Sequence, residues 1–165
     1  MAALGFESGQ IIRSISIRKA SVFESYSADI TYAEKTPPMH HPFAELIGLA
    51  VEEQRSGFSK CTLVVAAHHL NPHRVVHGAV LYALADTGMG VALYPTLGKD
   101  EICATIEIKI NYFKPVASGL ITCTTELVNR GKTVANLESR VFSGETLVAR
   151  ANGNYSIFTP RRDAT

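Results

Sequence analysis

Between positions 75 and 98 the chain carries one carboxylate, Asp86, and neither lysine nor arginine. The run 76–95 is too long for a single strand, is rich in alanine and leucine, and is closed by Pro95; it predicts a helix. A helix that is apolar on nearly every face must be buried nearly all round. Its small residues, Ala79, Ala83, Ala85, Gly88, Gly90 and Ala92, predict close approach of a neighbouring layer, since an interior glycine otherwise costs about 1 kcal/mol of helix propensity. A carboxylate in such a helix needs partners or takes up a proton. Asp86 therefore reads either as a satisfied structural acid or as a catalytic base or nucleophile.

The sequence around this helix reads mostly as strands. Residues 42–48 predict a short helix stopped by Gly48. Residues 49–54 and 60–68 predict two strands joined by a turn at Arg55-Ser56-Gly57-Phe58. In 102–113, Ile106, Ile108 and Ile110 alternate with Glu107, Lys109 and Asn111, the pattern of a half-buried strand ended by Pro115. Segments 118–128, 133–142 and 146–156 predict three more strands, with turns at 129–132 and 143–145. Short turns between consecutive strands imply antiparallel neighbours. The expected class is α+β, one helix against one antiparallel sheet of five or six strands. Residues 1–38 read as an N-terminal extension, 39–158 as the domain, and 159–165 as a polar tail.

His77-Gly78 stands where the long helix begins. The first backbone N–H groups of a helix have no internal acceptors and carry the positive end of its dipole, so they suit a developing oxyanion. Glycine there lets a ligand approach the backbone; His77 reads equally as a cap or a core histidine. From Gly78 to Asp86 is about 12 Å along the axis, too far for one small carbonyl to touch both. If both act on one substrate, they must come from different chains, and antiparallel helices of a two-fold dimer would bring them together twice.

Composition narrows the field of functions. Hydrophobic residues make up 46% of the 165, charged residues 19%, and the formal net charge is +1. These values support a real core and give no electrostatic case for nucleic acid. Cys61, Cys103 and Cys123 form no CxxC pair and read as buried free thiols of a reducing compartment. His40-His41 and His68-His69 are adjacent pairs; in a strand such side chains point to opposite faces, so no metal site is expected. No Gly-x-Ser-x-Gly elbow or Gly-rich phosphate loop is present. No membrane span is expected, and a cytoplasmic location is. Residues 10–23, acid-free and rich in Ser, Ile, Arg and Lys, read as an arm or extra strand in which Ile15 and Ile17 alternate with Ser14 and Ser16, or as the start of an organellar transit peptide.

Over 39–158 the sequence resembles the hotdog-fold acyl-CoA thioesterases of the PaaI-like and THEM-type group, in the 4-hydroxybenzoyl-CoA thioesterase superfamily. The resemblance rests on Phe43-Ala44-Glu45-Leu46-Ile47-Gly48, on Asn71 six residues before His77-Gly78, on Leu84-Ala85-Asp86, on the strand ending Tyr112-Phe113-Lys114-Pro115, and on Arg130-Gly131-Lys132. It implies a long helix wrapped by a curved antiparallel sheet, a homodimer or homotetramer, and acyl-CoA hydrolysis without metal or other cofactor. By the same resemblance, Asp86 activates water or acts as nucleophile, the Gly78 N–H polarises the thioester carbonyl, Asn71 helps hold the carbonyl or the water, Thr105 assists the water, and His77 supports the loop. Ala79 departs from a common His-Gly-Gly and adds a Cβ beside the oxyanion region. Arg130, Lys132 and Arg74 are candidate contacts for the CoA. Two other readings stay open: a hotdog hydratase or dehydratase pairing His77 with Asp86, and a non-catalytic acyl-CoA-binding module.

Overall fold

The structure, a computed structural model, describes residues 41–160. The expected N-terminal extension, the arm within it, His40 and the last residues of the polar tail lie outside the described residues.

The long helix, α2, spans Gly78–Leu93 and follows a short α1, Pro42–Ile47. Six strands lie among the described residues: β1 Leu49–Arg55, β2 Phe58–Val64, β3 Ile102–Tyr112, β4 Leu120–Arg130, β5 Val134–Ser143 and β6 Thr146–Phe158. All pairs are antiparallel, in the order β1-β2-β4-β5-β6-β3, and α2 packs across the sheet. This is the hotdog arrangement. No helix among the described residues is long and apolar enough to cross a membrane.

Three expectations about the strands need correction. The predicted strand 60–68 ends at Val64, and Ala67–His69 is a turn of 3-10 helix that leads into the loop before α2. Next, β3 does not neighbour β4. The connection between them, 113–119, is longer than a hairpin turn and contains Pro115, and it lets β3 pair with β6 at the edge of the sheet. Finally, the alternation in β3 is broken by a bulge between Thr105 and Glu107. Two residues there oppose one on the partner strand, which reverses the phase of the side chains. Ile108 and Ile110 keep their half-buried side, but Ile106 is 56% exposed.

The inner face of the sheet is apolar apart from a row of hydroxyls beneath α2. Ser59 Oγ donates to the Gly88 carbonyl at 2.7 Å, and Ser139 Oγ lies between the Ala85 carbonyl (3.5 Å) and Thr125 Oγ1 (2.7 Å). All three hydroxyl residues are buried. A Cβ built on Gly88 would sit 2.7 Å from Thr125 Oγ1, so at this glycine the helix backbone presses close to the sheet. Gly90 meets nothing comparable. The helix is also less enclosed than its composition suggests. Leu81, Ala83, Leu84, Ala85, Gly88, Met89, Ala92 and Leu93 are buried, but Ala79, Tyr82, Asp86 and Gly90, which recur at helical spacing, form a stripe that stays partly open.

Two of the three thiols face each other, Cys61 on β2 and Cys123 on β4, in direct register and fully buried. Burial pushes them up to about 11 and about 12, so both stay protonated and unreactive at neutral pH. Cys103 is only half-buried, which corrects the expectation that all three are enclosed.

The approach to α2 is braced by His69. This buried ring accepts from the Ala66 N–H through Nδ1 (2.9 Å), and its Nε2 lies 2.9 Å from the Ile47 carbonyl at the end of α1. Its own carbonyl accepts from the His77 N–H at 2.8 Å. The Nδ1 contact requires the neutral Nε2–H tautomer, which leaves neither ring nitrogen a lone pair for a metal. Burial, with His68 beside it, lowers the His69 pKa below 6.5. The unfolded chain therefore binds the proton first, and the stability this histidine contributes is complete above pH 6.5 and declines as pH falls below it. Replacement His69→Leu should lower stability by about 2 kcal/mol or more, because two backbone groups lose their partners. Chemical denaturation across pH 5–8 checks this, and the variant should also lose this part of the acid sensitivity.

Candidate active site

The start of α2 is built from its preceding loop. Asn71 Oδ1 accepts from the His73 N–H (2.9 Å) and from the Val75 N–H (3.4 Å), and the Asn71 N–H donates to the Val75 carbonyl (2.8 Å). The Asn71 side-chain oxygen is thus occupied in closing its own turn. Arg74, exposed at the tip, has φ 61°, an unusual value for a side chain other than glycine. His77 is the N-cap, and its Nδ1 accepts from the Ala79 N–H at 3.0 Å. One of the free donors at the helix start is therefore taken, and the Gly78 N–H remains as the donor presented there. Tyr112, from the end of β3, leans over this point. Its hydroxyl donates to the Gly78 carbonyl at 3.0 Å, and a Cβ on Gly78 would come within 3.1 Å of its ring. Gly78, Tyr112, Val76, Leu81, Phe113 and Lys114 line an open cleft of about 370 Å³.

The second group of residues surrounds Asp86, two helical turns further along. Thr105 Oγ1 donates to Asp86 Oδ1 at 2.8 Å, and the Tyr155 hydroxyl donates to the same oxygen at 2.6 Å. The Tyr155 hydroxyl is also 2.9 Å from the Asp86 carbonyl oxygen. Thr105 on β3 and Tyr155 on β6 are direct partners in the sheet, so both hydroxyls reach the helix from one place. The bulge that follows lets Thr105 face inward although it shares its nominal phase with Glu107. Burial, then the bond to Asp86, raises the Tyr155 pKa well above its ordinary value, so the phenol is a donor throughout the working range. Tyr155 is absent from the residues singled out by sequence. Its only signal there is a polar-tipped aromatic in the inward phase of the last strand.

Arg130 ends β4 and Lys132 lies in the β4–β5 turn, and neither is hydrogen-bonded to Gly78 or Asp86. Arg130 pairs with Glu101 at 2.6 Å and donates to the Gly131 carbonyl, so its guanidinium clamps the turn. Lys132 is exposed. Ala79 is exposed at the first turn of α2, beside Gly78.

The site therefore has an N–H donor at the head of a rigid helix and a hydroxyl-clamped carboxylate further along it. Residues 73–149, which hold Gly78, Asp86 and Thr105, match the thioesterase superfamily model. The chain is 33% identical to a conserved protein of Pseudomonas aeruginosa of solved structure, over 73% of this chain and 96% of that one, with a TM-score of 0.70. It belongs to the thioesterase superfamily. Among its relatives are the 1,4-dihydroxy-2-naphthoyl-CoA hydrolase of Listeria monocytogenes (27% identical over 97 residues, 59% of this chain and 79% of that protein) and the acyl-coenzyme A thioesterase PaaI of Escherichia coli (28% over 90 residues, 54% and 62%). As a thioesterase-superfamily member the protein is a thioester hydrolase. Tyr155 and Asn71 fall outside the span matched by the superfamily model.

Proposed function

We propose that the protein hydrolyses acyl- or aryl-CoA thioesters to the free acid and CoA, at sites formed by two copies of the chain. The observation that carries this reading is the Asp86 carboxylate, clamped by two hydroxyls on the open stripe of α2, eight residues from the Gly78 N–H. Water bound at Asp86 loses a proton to the carboxylate as its oxygen attacks the thioester carbonyl. The Gly78 N–H of the other protomer donates to the developing oxyanion. The C–S bond then breaks, the thiolate of CoA leaves, and it collects the proton. Thr105, whose hydroxyl donates a hydrogen bond to Asp86, still has oxygen lone pairs that can accept from the water. The names of the Listeria and Escherichia relatives support a CoA thioester as substrate.

The dimer is supported by the edge of the sheet. β3 runs from Ile102 to Tyr112 with one side unpaired among the described residues, and Tyr112 and Phe113 at its end are 50% and 51% exposed. A long edge with apolar side chains is a template for a second chain. A two-fold axis at this edge would bring two open α2 stripes together, and a homotetramer would pair two such dimers. The hydratase reading is weakened by His77, whose Nδ1 is engaged as a helix cap.

Against a panel of acyl- and aryl-CoAs, with released thiol as the readout, the wild-type protein should turn over. Asp86→Ala and Asp86→Asn should each lose about a hundredfold or more in kcat with the fold intact. Tight binding without turnover would instead favour an acyl-CoA-binding module. Gly78→Pro offers a separate test. Gly78 is the first helical residue, where proline is tolerated, and His77 already has the extended ψ of 135° that a residue before proline requires. Proline removes the N–H and adds a Cβ that meets the Tyr112 ring at 3.1 Å, so thermal stability should fall slightly while kcat falls by about a hundredfold; Gly78→Ala, which adds the same Cβ but keeps the N–H, should keep most of the activity.

A further inference from the structure

We infer that Tyr155 is a positioning residue for the reaction: with Thr105 it commits Asp86 Oδ1 to two hydroxyl donors and leaves Oδ2 as the oxygen that works on the water. The inference rests on the reading of Asp86 as the general base and extends it to one atom. Both contacts fall on Oδ1, at 2.6 Å from Tyr155 and 2.8 Å from Thr105. Among the described residues nothing donates to Oδ2. A carboxylate on a helix can turn about its χ2 torsion, which is broad and roughly two-fold. Two donors converging on one oxygen from adjacent strands hold that torsion at one setting.

The two donors differ in what they can reach. Thr105 is exposed and opens onto the same space as the carboxylate. Tyr155 is 3% exposed and sits in the core cluster with Ala85, Met89, Ala151 and Ile157, so it cannot touch a substrate. Its whole effect must pass through Asp86. The hydroxyl also lies against the Asp86 backbone carbonyl at 2.9 Å, so one phenol ties both the side chain and the main chain of this residue to β6.

The test is the full-length protein carrying Tyr155→Phe, which keeps the ring and its packing and removes only the hydroxyl, assayed alongside Asp86→Asn and the double variant. A hydrogen bond to a charged group sets the scale, so Tyr155→Phe should lose about ten- to a hundredfold in kcat, with KM changed less than about threefold. In the Asp86→Asn background the same change should cost nothing further, since the group it positions is gone. Wild-type kcat in Tyr155→Phe would overturn the assignment, as would an equal loss in both backgrounds, which is the mark of a role independent of Asp86. If Asp86→Asn itself retains full turnover, the reading of the site fails. If Asp86→Asn is inactive while Tyr155→Phe is fully active, the role of Tyr155 alone fails.

Discussion

A single rigid helix holds Gly78 and Asp86 about 12 Å apart, and much of the proposed chemistry follows from that spacing. Helices do not shorten to suit a substrate. The donor at the head of α2 and the carboxylate within it cannot serve one carbonyl in one chain. The proposed solution is two helices in antiparallel array, each lending one end to the other's site. The open stripe of Ala79, Tyr82, Asp86 and Gly90 and the edge of β3, unpaired among the described residues, are the surfaces such an array would use.

The spacing is useful only if the helix is seated firmly, and the sheet provides the seat through hydroxyls. The carbonyl oxygens of Ala85, Asp86 and Gly88 each have a sheet hydroxyl near them, from Ser139, Tyr155 and Ser59 respectively. Gly88 lets the backbone come down onto Thr125. These polar groups lie under an otherwise apolar helix, and every one of them has a partner. Unpaired, each would cost about 1–3 kcal/mol; paired, they fix where along the sheet the helix sits, which greasy contacts alone do less sharply. Asp86 inherits its position from that seat, and its side chain is then fixed by Thr105 and Tyr155.

Much of this was legible in the sequence because hydrophobic period and turn chemistry are local. The long helix, the short helix capped at Gly48 and the turns at 55–58, 129–132 and 143–145 all follow from such patterns. The place of β3 did not, because strand order depends on which edge a connection reaches, and 113–119 carries no mark of its destination. The bulge at Ile106 was equally hidden. The repeat of isoleucines continues through it, and only pairing with β6 reveals the extra residue. That hidden bulge explains how Thr105, in the nominal phase of Glu107, nevertheless meets Asp86. Tyr155 escaped notice for a related reason: it is nearly seventy residues from Asp86 in the chain, and only the β3–β6 register brings it there. Arg130 illustrates the opposite case, a charged turn residue suggestive of ligand contact that the fold spends on Glu101.

The two-chain site is tested most directly by mixing two inactive variants, Gly78→Pro and Asp86→Asn, and refolding or co-expressing them so that chains pair at random. Half of the dimers are then mixed, and each mixed dimer has one of its two sites unaltered, with Gly78 from one chain and Asp86 from the other. Turnover should rise from near zero in either parent to about a quarter of wild type. A mixture that stays at the level of its parents, although mixed dimers are shown to form, would mean that each site is made within one chain and would contradict the account.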